Sequence, residues 1–135
     1  MAVQSHLDWP FFEPRHKTLV SDLDRWAGSH LDFSEETDIE KTCRKIARQL
    51  ADGGWFHYAI AGKSYGAVHD TIDVRSLCLV RETLAQYSGL AEFVFAMQGL
   101  GSGPISLFGS DAQKQKYLPQ VADGRYLAAF AISCI

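Results

Sequence analysis

Two carboxylates, Glu82 and Glu92, stand inside apolar, helix-forming stretches, "DVRSLCLVRETLAQYSG" and "LAEFVFAMQGL". A carboxyl withdrawn from water there could work as an acid or base. The commoner reading is a helix-edge residue that is solvated or paired with a neighbour such as Arg81. The stretch "GLGSGP" (99–104) invites comparison with a dinucleotide fingerprint. Its glycines fall as G-x-G-x-G after an apolar helix, whereas phosphate cradling needs G-x-G-x-x-G between a strand and a helix. A tight interhelical turn, where backbones or a ligand approach closely, is the expected reading. The histidines His6, His16, His30, His57 and His69 show no H-E-x-x-H or paired ligand spacing, and no G-x-S-x-G elbow presents a serine nucleophile. Cys43, Cys78 and Cys134 lack any C-x-x-C pairing. They are read as reduced thiols of a cytoplasmic protein, with Cys43 and Cys78 expected in the core.

The frame for these residues is an ordinary globular chain of 135 residues, 47% hydrophobic and 21% charged, enough for one core. Thirteen Lys and Arg against sixteen Asp and Glu give a formal charge of −3 with the signs interspersed, so no broad positive surface is expected to attract nucleic acid. The amino-terminal residues do not read as a signal peptide or transit peptide, and no 18-residue apolar run predicts a membrane span.

The spacing predicts five or six helices with short connections, followed by one strand. Leu19, Leu23 and Trp26 mark one helical face. In "FSEETDIEKTCRKIARQLADGGWF", Thr37 and Glu40 fit a capping box, Ile39, Cys43, Ile46 and Leu50 share a face, and Gly53 and Gly54 close the helix. "IAGKSYGAVHD" is expected to be a loop on the surface or at a site. Val74, Leu77, Arg81, Leu84 and Ala85 recur at helical spacing up to Gly89, and "LAEFVFAMQGL", apolar on nearly every side, is expected at the centre of a bundle. Pro104 fits the first turn of a short helix ended by Gly109, and Ser110 with Gln113 forms a capping box for a helix that Pro119 terminates. The expected core is Ile39, Ile46, Leu50, Leu77, Leu84, Phe95 and Leu100. The last stretch, "RYLAAFAISCI", reads as a buried strand with no sheet to join, expected to aggregate or to fold back onto the helices.

From "ARQLADGGWF" onward the sequence resembles the amino-terminal helical domain of the acyl-CoA dehydrogenases. "GLGSGPISLFGSDAQKQKYLPQVADGRYLAAFAIS" is similar to that family's stretch from a Gly-Pro-Ile turn through G-x-x-x-Q-K-x-K-Y-L-P to the first strand of the middle domain, and "RETLAQYSG" resembles the preceding helix. The resemblance covers about four fifths of the chain and is loose before residue 34. It implies an all-α, up-and-down bundle over residues 1–125 and, over residues 126–135, the first strand of a middle β-domain, with "CI" as an aberrant ending.

The resemblance further implies an FAD-dependent oxidoreductase that dehydrogenates an acyl-CoA thioester between its α- and β-carbons and passes electrons to an acceptor. Phe130, Ile132 and Ser133 fall where the family's first β-strand touches the flavin ring. Phe93, Ala96 and Leu100 match the helix at the end of the acyl tunnel, with ordinary bundle core as the equal alternative reading. No catalytic residue is carried over, because the family's catalytic glutamate belongs to a carboxy-terminal domain, and the chain alone is expected to be inactive and not to retain FAD. Two alternatives stand beside this reading. One is a non-catalytic helical module that forms a homo-oligomer or pairs with a full-length relative. The other is part of a related flavin monooxygenase or acyl-CoA oxidase.

Overall fold

The structure, a computed structural model, describes residues 5–31 and 38–131. Among these the regular structure is entirely helical: α1 (Pro14–His30), α2 (Ile39–Asp52), α3 (Val74–Ala85), α4 (Gly89–Phe108) and α5 (Asp111–Ala122), with short 3-10 turns between. Each of the last four helices opens on a short polar side chain that accepts a backbone N–H, from Asp38, Asp73, Ser88 and Ser110 respectively. Gln113 returns the bond to Ser110 N–H at 2.8 Å, so the expected capping box is present. For α2 the cap is Asp38, which accepts from Lys41 N–H at 3.0 Å. Thr37, the expected cap, lies outside the described residues.

Helix α4 is the hub and packs against α2, α3 and α5, while α1 packs on α3. The main core joins Leu23 and Ala27 of α1, Ile46 and Leu50 of α2, Val80 and Leu84 of α3, and Val94 and Phe95 of α4. Two expected core residues sit elsewhere. Ile39, at the first position of α2, is 66% exposed, and Leu100 is 54% exposed on the solvent side of α4. Leu77 is only partly buried against the core. Among the cysteines, Cys43 is half-buried and Cys78 is exposed, which corrects the expectation of two core thiols.

The expected break at "GLGSGP" does not occur. α4 runs through all three glycines and Pro104 to Phe108, and α5 likewise runs through Pro119. Pro104 cannot donate to the Leu100 carbonyl, but both residues are solvent-facing, where water can take the lost bond. Packing on the opposite face carries the helix through. Gln98, Ser102 and Ser106 form a buried polar stripe: Ser102 Oγ donates to the Gln98 carbonyl at 2.6 Å with the Ala59 carbonyl also within reach at 3.4 Å, and Ser106 Oγ accepts from Ala61 N–H at 3.3 Å. These side chains satisfy irregular backbone that has no ladder of its own. Gly89 likewise starts α4, and α3 has already ended at Ala85.

No strand is present among the described residues, and the segment 126–131 is irregular. Tyr126 N–H donates to the Gln120 carbonyl at 3.0 Å, and Ala128 packs on the second apolar cluster, around Ile60, Leu118 and Val121. The segment has folded back onto the helices.

Candidate functional site

Two regions outside the core combine accessible space with chemical groups. The first is polar, a cavity of about 330 Å³ beside the amino-termini of α1 and α3, lined by Arg15, Lys63, His69, Asp70, Asp73 and Arg75 among others. His16, fully buried on α1, accepts from Glu13 N–H through Nδ1 at 2.9 Å, which fixes the tautomer and leaves Nε2–H to donate to Asp73 Oδ2 at 3.1 Å. Asp73 also accepts from Arg15 Nη2 at 2.9 Å, from Arg75 Nε at 3.1 Å and from Ser76 Oγ at 3.0 Å. Both arginines in turn hold Glu13, each at 2.8 Å.

Burial works against the charge on Asp73, but hydrogen bonds from His16, Arg75 and Ser76 outweigh it and hold the carboxyl well below the ordinary range. Hydrogen bonds from Arg15 and then Arg75 lower Glu13 to about 2. Carboxylates so acidic are poor general bases at neutral pH. The positive charges of Arg15, Lys63 and Arg75 are matched by Glu13, Asp70 and Asp73, with Lys63 Nζ 3.7 Å from Asp70. The cluster therefore spends its charge on itself and ties α1 to α3.

The second region is apolar and lies along the solvent side of α4. Phe93, Ala96 and Leu100 occupy positions i, i+3 and i+7, one stripe of the helix. Phe93 and Leu100 are 57% and 54% exposed, so the stripe is not bundle core. A groove runs on each side. One, of about 400 Å³, lies between α2, α4 and the terminal segment, with Phe93 on its wall beside Cys43, Met97 and Leu127. The other, of about 250 Å³, lies between α3 and α4, with Ala96 and Leu100 on its wall beside Leu77 and Cys78. The three residues thus share a ridge and face two grooves.

Glu92, the carboxylate next to this ridge, is paired with Arg81, and Glu82 lies 3.4 Å from His6 Nε2. Both sit at helix edges with a side-chain partner, the commoner fate of such carboxylates. Phe130 is 45% exposed on the irregular terminal segment. Ile132 and Ser133 lie outside the described residues. Among those described, no helix is long and apolar enough to cross a membrane.

A profile described as "Acyl-CoA dehydrogenase, N-terminal domain" matches residues 13–125, well over half of the chain. The chain belongs to the acyl-CoA dehydrogenase family. It is 34% identical over 106 residues to a probable acyl-CoA dehydrogenase of Bacillus subtilis (strain 168), covering 77% of this chain and 17% of that protein. It is 29% identical over 133 residues to a 3-(aryl)acrylate reductase of Clostridium sporogenes (strain ATCC 15579), covering 91% of this chain and 33% of the relative. To a short-chain specific acyl-CoA dehydrogenase of Megasphaera elsdenii the identity is 39% over 69 residues, 50% of this chain and 18% of the relative. The chain thus spans a third or less of the length of these relatives. As an acyl-CoA dehydrogenase amino-terminal domain, it keeps an uncovered apolar ridge on the helix that forms the centre of its bundle.

The sequence points to the ridge through the resemblance, not through periodicity, which places Leu100 in the core. Sequence reasoning missed the cluster of His16, Asp73, Arg15 and Arg75 altogether. Its central bond joins residues 57 apart, so no local spacing announces it.

Proposed function

We propose that this chain is the amino-terminal helical domain of an FAD-dependent oxidoreductase that dehydrogenates acyl-CoA thioesters between the α- and β-carbons. The observation that carries the reading is the exposed apolar ridge of α4, flanked by two apolar grooves, in a chain whose family membership is shown. An exposed ridge of large apolar side chains is costly to hydrate, and an acyl tail is a partner of matching chemistry. Phe93, Ala96 and Leu100 contact that tail in this reading. Residues 1–125 form the helical domain, and residues 126–135 lead into a middle β-domain.

The exposed ring of Phe130, on backbone outside any helix or strand, suits one wall of a flat aromatic cofactor, and the family resemblance adds Ile132 and Ser133 to the cofactor-binding residues in this reading. When bound, FAD supplies the hydride acceptor. The catalytic base and most of the flavin site come from outside these 135 residues in this reading, because neither carboxylate singled out in the sequence is free: Glu92, beside the ridge, is paired with Arg81, and Glu82 on α3 faces the His6 ring. On its own the chain is therefore inactive and does not retain FAD, and an electron acceptor completes the cycle of the whole enzyme. The free thiols Cys43 and Cys78 suit a cytoplasmic setting.

Titration calorimetry with acyl-CoA thioesters of increasing chain length, against free CoA, tests the reading. Affinity is expected to rise with chain length and to fall on Phe93→Ser. Equal affinity for CoA and its long-chain thioesters would remove the ridge from the substrate site. Bleaching of added FAD by an acyl-CoA in the isolated chain would overturn the claim that the base lies elsewhere.

A further inference from the structure

The larger groove has a wall that α2 and α4 do not supply. Leu127, Ala128 and Ala129 form it, and they reach α4 at one turn of the helix. There Gln98, 3% exposed, donates from Nε2 to the Val94 carbonyl at 3.2 Å and accepts through Oε1 from Ala128 N–H at 2.7 Å. Three residues on, Gly101 meets the same segment. A Cβ built there would lie 2.8 Å from Ala128 Cβ, 2.8 Å from Ala129 N and 3.0 Å from Ala128 C. Two of these neighbours are backbone atoms, so the segment itself would have to move.

Glycine weakens a helix interior by about 1 kcal/mol relative to alanine. Close approach of the terminal segment gives that cost at Gly101 a physical reason. A bond at residue 98 and a missing side chain at 101 fix the segment along the helix and in its height above it.

We infer that Gln98 and Gly101 are positioning residues, a saddle that holds residues 127–129 as the third wall of the groove beside Phe93 and aims Phe130 outward from a fixed point. The functional weight of the saddle rests on the reading of the groove as an acyl site, but its existence is measurable without any ligand. Cys43 lies in this groove and Cys78 in the other, so the two thiols serve as probe and internal control.

The experiment is iodoacetamide labelling of the full chain, with rates for each cysteine read by peptide mass spectrometry. Gly101→Ala and Gln98→Met are each expected to speed Cys43 labelling about fivefold, the worth of roughly one net hydrogen bond. Cys78 labelling and helical circular dichroism should stay unchanged. Gln98→Glu, compared with Gln98→Met and the unsubstituted chain all at about pH 5, where a buried carboxyl is protonated, keeps an acceptor for Ala128 N–H and returns the ratio of Cys43 to Cys78 labelling to that of the unsubstituted chain. Cys43 rates unchanged in both disruptive variants would overturn the saddle, as would equal acceleration of Cys43 and Cys78, which would mean general loosening. Palmitoyl-CoA added to the unsubstituted chain should slow Cys43 labelling. Its failure to do so would count against the acyl-site reading, whereas the saddle stands or falls with the two disruptive variants.

Discussion

Asp73 collects hydrogen bonds from two helices and is only 11% exposed at its side chain, so its removal should be felt well beyond its own turn. Asp73→Asn leaves His16 and two guanidinium groups without their shared anion and is expected to cost about 2–3 kcal/mol in urea unfolding. The sign of the pH dependence follows from the direction of the shift. The carboxyl of Asp73 is more acidic in the folded chain, so its contribution is fully present above the unfolded value of about 4. It is lost as pH falls below that value. Thermal melts from pH 6 down to pH 2 should show this loss, and Asp73→Asn should flatten it. Packing gives a second contrast. Phe95→Ala empties a fully buried site and is expected to cost about 3–5 kcal/mol, whereas Ile39→Ala, at an exposed helix start, should stay within about 0.5 kcal/mol.

At the scale of elements, α4 separates what spacing can reveal from what it cannot. Its existence is legible in "LAEFVFAMQGL", and the caps Ser88 and Ser110 follow from short-range side-chain chemistry. Its length is not, because glycine and proline argue locally for a break while Gln98, Ser102 and Ser106 bind backbone some forty residues earlier or thirty later. Tertiary contacts override propensity, as apolar packing of Leu118, Val121 and Ala122 does for α5 at Pro119. Continuity makes Pro104→Ala informative. In an unbroken helix the alanine restores an N–H for the Leu100 carbonyl and should raise stability by about 1 kcal/mol, offset in part by a freer unfolded chain. A helix starting at Pro104 would gain nothing. Differential scanning calorimetry reads the difference.

For the whole molecule, the helical bundle and its central helix are readable because apolar periodicity reports burial directly. The division between core and ridge is not, since a periodic face looks the same whether a neighbouring helix or a ligand covers it. Leu100 shows this, placed in the core by its spacing yet exposed in the structure. The terminal segment shows the same limit. An apolar run predicts burial, but only the acceptor on Gln98 and the gap at Gly101 say where. Deleting residues 126–135 leaves Gln98 Oε1 without Ala128 N–H and uncovers part of the cluster around Leu118, so a loss of about 1–2 kcal/mol is expected in thermal melts.

The central claim, that the α4 ridge receives an acyl chain, is met most directly by photocrosslinking the full chain to a long-chain acyl-CoA that carries a diazirine at its tail. Tandem mass spectrometry of the products should find the adducts on α4, at Phe93, Ala96 and Leu100, and should see them suppressed by excess palmitoyl-CoA but not by CoA. Adducts spread over the surface, or gathered around His69 and Asp73 and indifferent to palmitoyl-CoA, would contradict it.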